Sequence, residues 1–144
     1  LKKINKKNIY LDIYGKGPEK ERLQNQIDNL LLTDQVKLKG FIDEEGKKQI
    51  YSKYDFSISI DFADFRITSI ESVNSSCPVI ISNETSLDFI HKYDFLYFCE
   101  PNLSNLTKAI LEMLDKKINW SYREKFLNNY LWKNYFDQIN DICL

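Results

Sequence analysis

Apolar and polar positions follow two rhythms along this chain, and the rhythms take turns. Asn8-Ile-Tyr-Leu-Asp-Ile-Tyr14 is a compact β-prone run that gives way to Gly15-Lys-Gly-Pro18, and then to Leu23, Ile27, Leu30 and Leu31 at helical spacing. A strand, a tight turn and a helix are predicted, with Pro18 suited to the first helical position and Glu19 and Glu21 to the positive end of the helix dipole. The pattern repeats as a strand at Val36–Gly40, a helix from Asp43 to Lys53 carrying Ile50 and Tyr51 inward, a strand at Asp55–Ile60, and a helix from Thr68 to Ser75 carrying Ile70 and Val73. Pro78–Ser82 reads as a buried strand, with its proline at the start, where the missing donor does least harm. A short helix at Ser86–His91, a last strand at Phe95–Phe98 and closing helices over Leu103–Lys116 and Trp120–Ile142 complete the series. Such alternation predicts one α/β domain over residues 1–144, a Rossmann-like, mostly parallel sheet with helices on both faces joined by right-handed crossovers.

Composition narrows the class. Hydrophobic residues at 43% and charged residues at 28% are ordinary for a globular domain. No apolar run approaches the roughly twenty residues that span a bilayer. A formal net charge of -1, with lysines spread along the chain, leaves no electrostatic footprint for nucleic acid, so no nucleic-acid partner is expected. Cys77, Cys99 and Cys143 are scattered and His91 is the one histidine, which argues against a disulfide framework and against a zinc or multi-histidine metal site. A reducing, cytoplasmic setting fits that usage. The aromatic stripe from Trp120 through Tyr122, Phe126, Tyr130 and Trp132 to Phe136 is expected to pack on the parent sheet or on another domain in preference to a membrane. The chain opens on Leu1-Lys-Lys with no signal-like core, so a piece of a longer protein is expected.

In an open parallel sheet, ligands bind beyond the carboxyl ends of the strands, and three such loops stand out. Gly15 and Gly17 in Gly15-Lys-Gly-Pro18 let backbone approach a ligand closely, or else serve a cramped strand-to-helix corner; the third glycine and downstream acid of a dinucleotide fingerprint are lacking. Gly40-Phe41-Ile42 offers an aromatic and backbone amides for a flat base, and packing explains it equally well. Asp61 to Glu71 is a polar loop feeding a helix whose first amides, with Arg66, suit a diphosphate, while Glu71 is placed to accept hydrogen bonds from ribose hydroxyls. The competing reading makes Thr68 a helix cap and Glu71 a solvated helical residue.

Taken together, these stretches resemble the C-terminal domain of glycosyltransferase family 4, the GT-B enzymes that build bacterial surface polysaccharides. Tyr10-Leu-Asp-Ile-Tyr-Gly-Lys-Gly-Pro-Glu19 is similar to the family's strand and Gly-x-Gly-Pro-Glu turn, and Val36-Lys-Leu-Lys-Gly-Phe-Ile42 to its next strand. Phe65, Glu71 and Pro78-Val-Ile80 follow the spacing of its Phe-Gly loop, second motif glutamate and Pro-Val strand, and Cys99-Glu-Pro-Asn102 resembles its last strand and loop. The resemblance implies a donor site for a UDP- or GDP-sugar, in which Glu71 binds the ribose, the amides of Arg66, Ile67 and Thr68 hold the diphosphate, and Phe41 and Ile42 lie beside the base. It also implies hexose transfer with retention, without metal or other cofactor, to a glycan or lipid-linked acceptor held by a separate N-terminal domain absent from this sequence. In similar enzymes contact with the inner face of the membrane often depends on that other domain, so peripheral membrane association stays open.

Departures from the pattern bear on activity. The family's first motif glutamate is Ala63 here; Asp64, one position later, is the candidate to replace it with a shorter reach. Arg66 and Ser76 stand where glycines are usual, and Arg66 is a candidate to supply phosphate charge and stabilise the leaving diphosphate. The opening strand, central in the Rossmann-like order, has no counterpart, which predicts an isolated piece that is poorly stable or has filled the gap otherwise. Ala63 keeps a catalytically degenerate, partner-binding module open as an alternative, and a nucleotide-sugar epimerase on the same fold is another.

Overall fold

The computed structural model describes residues 1, 4, 8–60, 67–84 and 93–131. It divides into two compact units, Leu1–Gln49 and Ile50–Leu144. The readings made for residues 61–66, the helix at 86–91, and Trp132 onward with Cys143 lie outside the described residues.

In the first unit, β1 (Leu11–Tyr14) and β2 (Val36–Gly40) pair in parallel from Leu11 opposite Val36, with a register shift between Ile13 and Tyr14. Helix α1 (Lys20–Asn29) crosses between them, and Ile9, Ile27 and Val36 are the unit's buried apolar residues among those described. The start of α1 differs from the expectation: Glu19 is the N-cap and Pro18 lies in the preceding turn, where the Lys20 N–H reaches the Gly17 carbonyl at 3.4 Å. Proline's fixed φ suits a turn as well as a first helical position, so the residue type alone did not separate the two. Helix α2 (Glu44–Ile50) is opened by Asp43, whose Oδ1 accepts from the Gly46 N–H at 2.7 Å. It buries no residue fully and ends at Ile50, short of the predicted Lys53; Ile50 and Tyr51, the residue that follows the helix, are half-buried.

The end of α1 carries strain. Leu31 adopts φ 57 and is 86% exposed, while its N–H reaches the Asp28 carbonyl at 2.9 Å and the Leu32 N–H reaches the Ile27 carbonyl at 3.0 Å. That double bond is a Schellman closure, whose left-handed residue is usually glycine. Leu31→Gly is therefore expected to raise stability by about 1 kcal/mol, because the left-handed cost exceeds glycine's entropic penalty and little packing is lost. The shift of the urea midpoint measures it. Leu31→Ala, which keeps a Cβ, is expected to gain little; an equal gain from both would assign the effect to loss of the exposed side chain.

The second unit opens with a 3₁₀ turn (Tyr51–Lys53) and continues through β3 (Ser57–Ser59), α3 (Ile67–Asn74), β4 (Val79–Ser82), β5 (Leu96–Cys99), α4 (Leu103–Asp115) and α5 (Arg123–Asn128). The sheet order is β3-β4-β5, all parallel, with Ser57 opposite Val79 and Val79 opposite Leu96. All four residues of β4 are buried, as expected of a β-branched central strand covered on both faces. Val73, Val79, Ile81, Phe95, Leu96 and Phe126 form one apolar cluster, against which Tyr93, Ile118, Trp120 and Tyr130 pack. The described part of the aromatic stripe thus lies largely against this core, as the packing reading expected, although Tyr122 is exposed. Helix α4 buries Ala109, Ile110 and Met113 and is capped by Asn102, whose Oδ1 accepts from the Asn105 N–H at 2.9 Å.

Parallel strands flanked by helices agree with the predicted α/β class; among the described residues the ladders are β1-β2 in the first unit and β3-β4-β5 in the second. Among the described residues no helix is long and apolar enough to cross a membrane.

Candidate functional site

Both strands of the first unit end in loops built on unusual backbone. Gly15 has φ +147 and Gly40 has φ +77, conformations that favour glycine, and the Gly15 N–H donates to the Gly40 carbonyl at 2.8 Å. The two turns singled out in the sequence are thereby tied side by side. A Cβ added at Gly15 or Gly17 meets nothing within 4 Å, so crowding does not explain either glycine; the space beside the turn is open. Phe41 is 63% exposed, with the Lys16 Nζ 4.4 Å above its ring centroid. Ile42 is half-buried and leans on α2, since a Cβ at Gly46 would come within 2.7 Å of its Cγ1.

In the second unit, β3 is followed in sequence by α3. The first backbone N–H groups of a helix have no intrahelical partner and carry its positive partial charge. Helices α1, α2 and α5 each place glutamate in the first turn, and α4 has the Asn102 cap; α3 has no acidic residue there. Ile67 and Thr68 are exposed. Glu71, half-buried, is four residues after Ile67 and three after Thr68, hence on their side of the helix. Because α3 starts at Ile67, Thr68 is already inside the helix, which sets aside the reading of it as the cap. Asp64 and Arg66 lie outside the described residues.

The opposite side of α3 holds it in place through hydroxyls. Ser69, Ser72 and Val73 are buried. The Ser72 hydroxyl donates to the Cys77 carbonyl at 2.8 Å and lies 2.7 Å from the Ser57 hydroxyl on β3, so Ser57 supplies the proton of that second bond. The Tyr51 hydroxyl donates to the Thr68 carbonyl at 3.3 Å, holding the first turn. At the far end Ser76 has φ 57, with its N–H bonded to the Val73 carbonyl and the Cys77 N–H to the Ser72 carbonyl. This left-handed closure is the physical reason that glycine is usual at that position; here a serine occupies it and accepts a hydrogen bond from the Arg123 guanidinium.

Burial pushes the thiols of Cys77 and Cys99 up from their ordinary values, so both stay protonated and unreactive near neutral pH. Among the described residues no group of three His, Cys, Asp or Glu side chains converges to hold a metal ion. Sequence reasoning gave no role at the site to Lys16, Tyr51 or the Ser57–Ser72 pair. The serines at helical spacing were visible, but their partner on β3 was not.

Comparison with known proteins sets this geometry in a family. A model of glycosyl transferases group 1 matches residues 1–130. Over 86 residues the chain is 34% identical to the UDP-N-acetylglucosamine–peptide N-acetylglucosaminyltransferase GtfA subunit of Streptococcus gordonii, covering 56% of this chain and 16% of that protein. It is 31% identical over 71 residues to the poly(glycerol-phosphate) alpha-glucosyltransferase of Bacillus subtilis, covering 49% of this chain and 10% of the relative. Sucrose-phosphate synthase of Thermosynechococcus elongatus shares the fold, with a TM-score of 0.76 and 21% identity over 98% of this chain and 39% of its own. The matched parts are a minor share of each of these longer proteins. With the family match running through nine tenths of its length, this chain belongs to the glycosyl transferases group 1.

Proposed function

We propose that this chain is the donor-binding part of a retaining glycosyltransferase, which transfers a hexose from a UDP- or GDP-sugar to a glycan or lipid-linked acceptor in cell-envelope polysaccharide synthesis. The observation that carries this reading is the amino end of α3: exposed Ile67 and Thr68, no acid in the first turn, and Glu71 on the same side as both. The amides of Arg66, Ile67 and Thr68 hold the diphosphate and the Glu71 carboxylate accepts from the ribose hydroxyls. The Arg66 guanidinium stabilises the charge that develops on the leaving diphosphate, and Asp64 contacts the sugar in place of the glutamate that Ala63 lacks. Oriented amides and a guanidinium supply the electrostatic stabilisation that this step requires, so no bound metal is invoked. In the first unit, the Gly15 and Gly17 backbone with Phe41 and Ile42 forms a contact surface for the base. The acceptor is held by a separate domain, the protein acts in the cytoplasm or at the inner face of the membrane, and these 144 residues alone bind donor without transferring it.

Ala63 favours a second reading, a degenerate module that binds a partner without catalysis. The two separate on calorimetric titration with UDP, GDP and their sugar conjugates, followed by a donor-hydrolysis assay with an acceptor-binding domain present. Selective nucleotide binding, weakened about tenfold or more by Glu71→Ala through loss of a charge-assisted hydrogen bond, is the expected result. Absence of binding to every nucleotide would sink the transferase reading; binding without turnover would favour the module.

A further inference from the structure

We propose that Lys16 and Phe41 form a base-reading pair within the first unit, in which the Phe41 ring stacks a nucleobase and the Lys16 ammonium bonds a carbonyl oxygen on its edge. The inference rests on the donor-binding reading above and adds a specificity-determining residue to it. Three observations converge. Both residues sit at the carboxyl ends of parallel strands, in turns held together by the bond from the Gly15 N–H to the Gly40 carbonyl. The Phe41 ring is 63% exposed, in a turn whose backbone neighbour Gly40 needs its positive φ, so the chain holds a large apolar side chain in solvent at the end where a ligand arrives. The Lys16 ammonium lies 4.4 Å above the ring centroid and makes no ion pair among the described residues.

The cation occupies the place of the base. An exposed cation–π contact is weak, and an incoming flat base replaces it with a broader stack, while the long lysine stem lets the ammonium slide from the ring face to the edge of the base. An ammonium has three donors and no acceptor. It therefore pairs with the O4 carbonyl of uracil or the O6 carbonyl of guanine, at the position where cytosine and adenine carry an amino group instead. Stacking on Phe41 is indifferent to base identity because every base has a π-face. The pair thus separates affinity, carried by the ring, from choice, carried by the cation.

Titration of UDP, GDP, ADP and CDP into the protein, Lys16→Met, Lys16→Gln and Phe41→Ala tests this. The protein is expected to favour UDP or GDP over ADP and CDP by about tenfold or more, the worth of a charged hydrogen bond. Lys16→Met, which keeps the stem and removes the charge, abolishes the preference; Lys16→Gln recovers ADP binding, because its amide oxygen accepts from the adenine amino group. Phe41→Ala weakens all four alike. Equal weakening of all four by Lys16→Met would place the ammonium on phosphate and overturn the proposal, as would an unchanged preference. Binding that keeps its sensitivity to Glu71→Ala but not to Lys16→Met refutes only this inference, whereas no binding of any nucleotide refutes the donor site with it.

Discussion

Phe95→Ala is expected to destabilise the second unit by about 3–5 kcal/mol, the range for removing a fully buried aromatic. Phe95 is 0% exposed and organises its neighbours. Its ring stacks on Tyr93 at 5.1 Å and on Trp120 at 5.3 Å, and meets Phe126 edge-on at 5.3 Å. Truncation leaves a cavity that three rigid rings cannot collapse to fill, and it also removes aromatic pairing worth about 0.5–1.5 kcal/mol per pair beyond area. Against a domain stability of about 5–15 kcal/mol, the variant becomes marginal. Urea unfolding followed by tryptophan fluorescence reads this directly, because Trp120 reports on its stacking partner. Phe95→Leu, which refills part of the space, is expected to lose much less; an equal loss would mean that the site tolerates no change of shape at all.

Ile80→Ala is the second large effect, at about 2–5 kcal/mol. Ile80 is 0% exposed at the middle of the central strand, and alternation puts it on the face opposite to Val79 and Ile81, which belong to the aromatic cluster. The two variants therefore differ in signature. Phe95→Ala should alter the near-ultraviolet circular dichroism of the folded protein, while Ile80→Ala should lower stability and leave that spectrum close to the original. A changed aromatic spectrum for Ile80→Ala would show that the two faces of the sheet relax together.

Much of the candidate site was legible before any coordinates. Glu71 lies on the side of Thr68 and Ile67 because helical spacing alone demands it, and the turns at Gly15 and Gly40 were marked by residues whose positive φ the structure then displayed. Lys16 was passed over because a lysine in a turn carries no signal of its own; its meaning arises from lying over Phe41, a residue on another turn.

By itself the sequence determined the order of the described strands and helices, the burial of β4 and the family to which the chain belongs, since propensity and periodicity act over a few neighbouring residues. Tertiary structure alone decided the rest. Ser57 on β3 locks Ser72 on α3, Pro18 stays in its turn, and Ser76 takes the left-handed backbone that a glycine would adopt more easily. Each of these depends on which distant partner satisfies a donor, an acceptor or a buried face. A hydrophobic pattern says that such a face exists and leaves the partner to the packing of the whole chain.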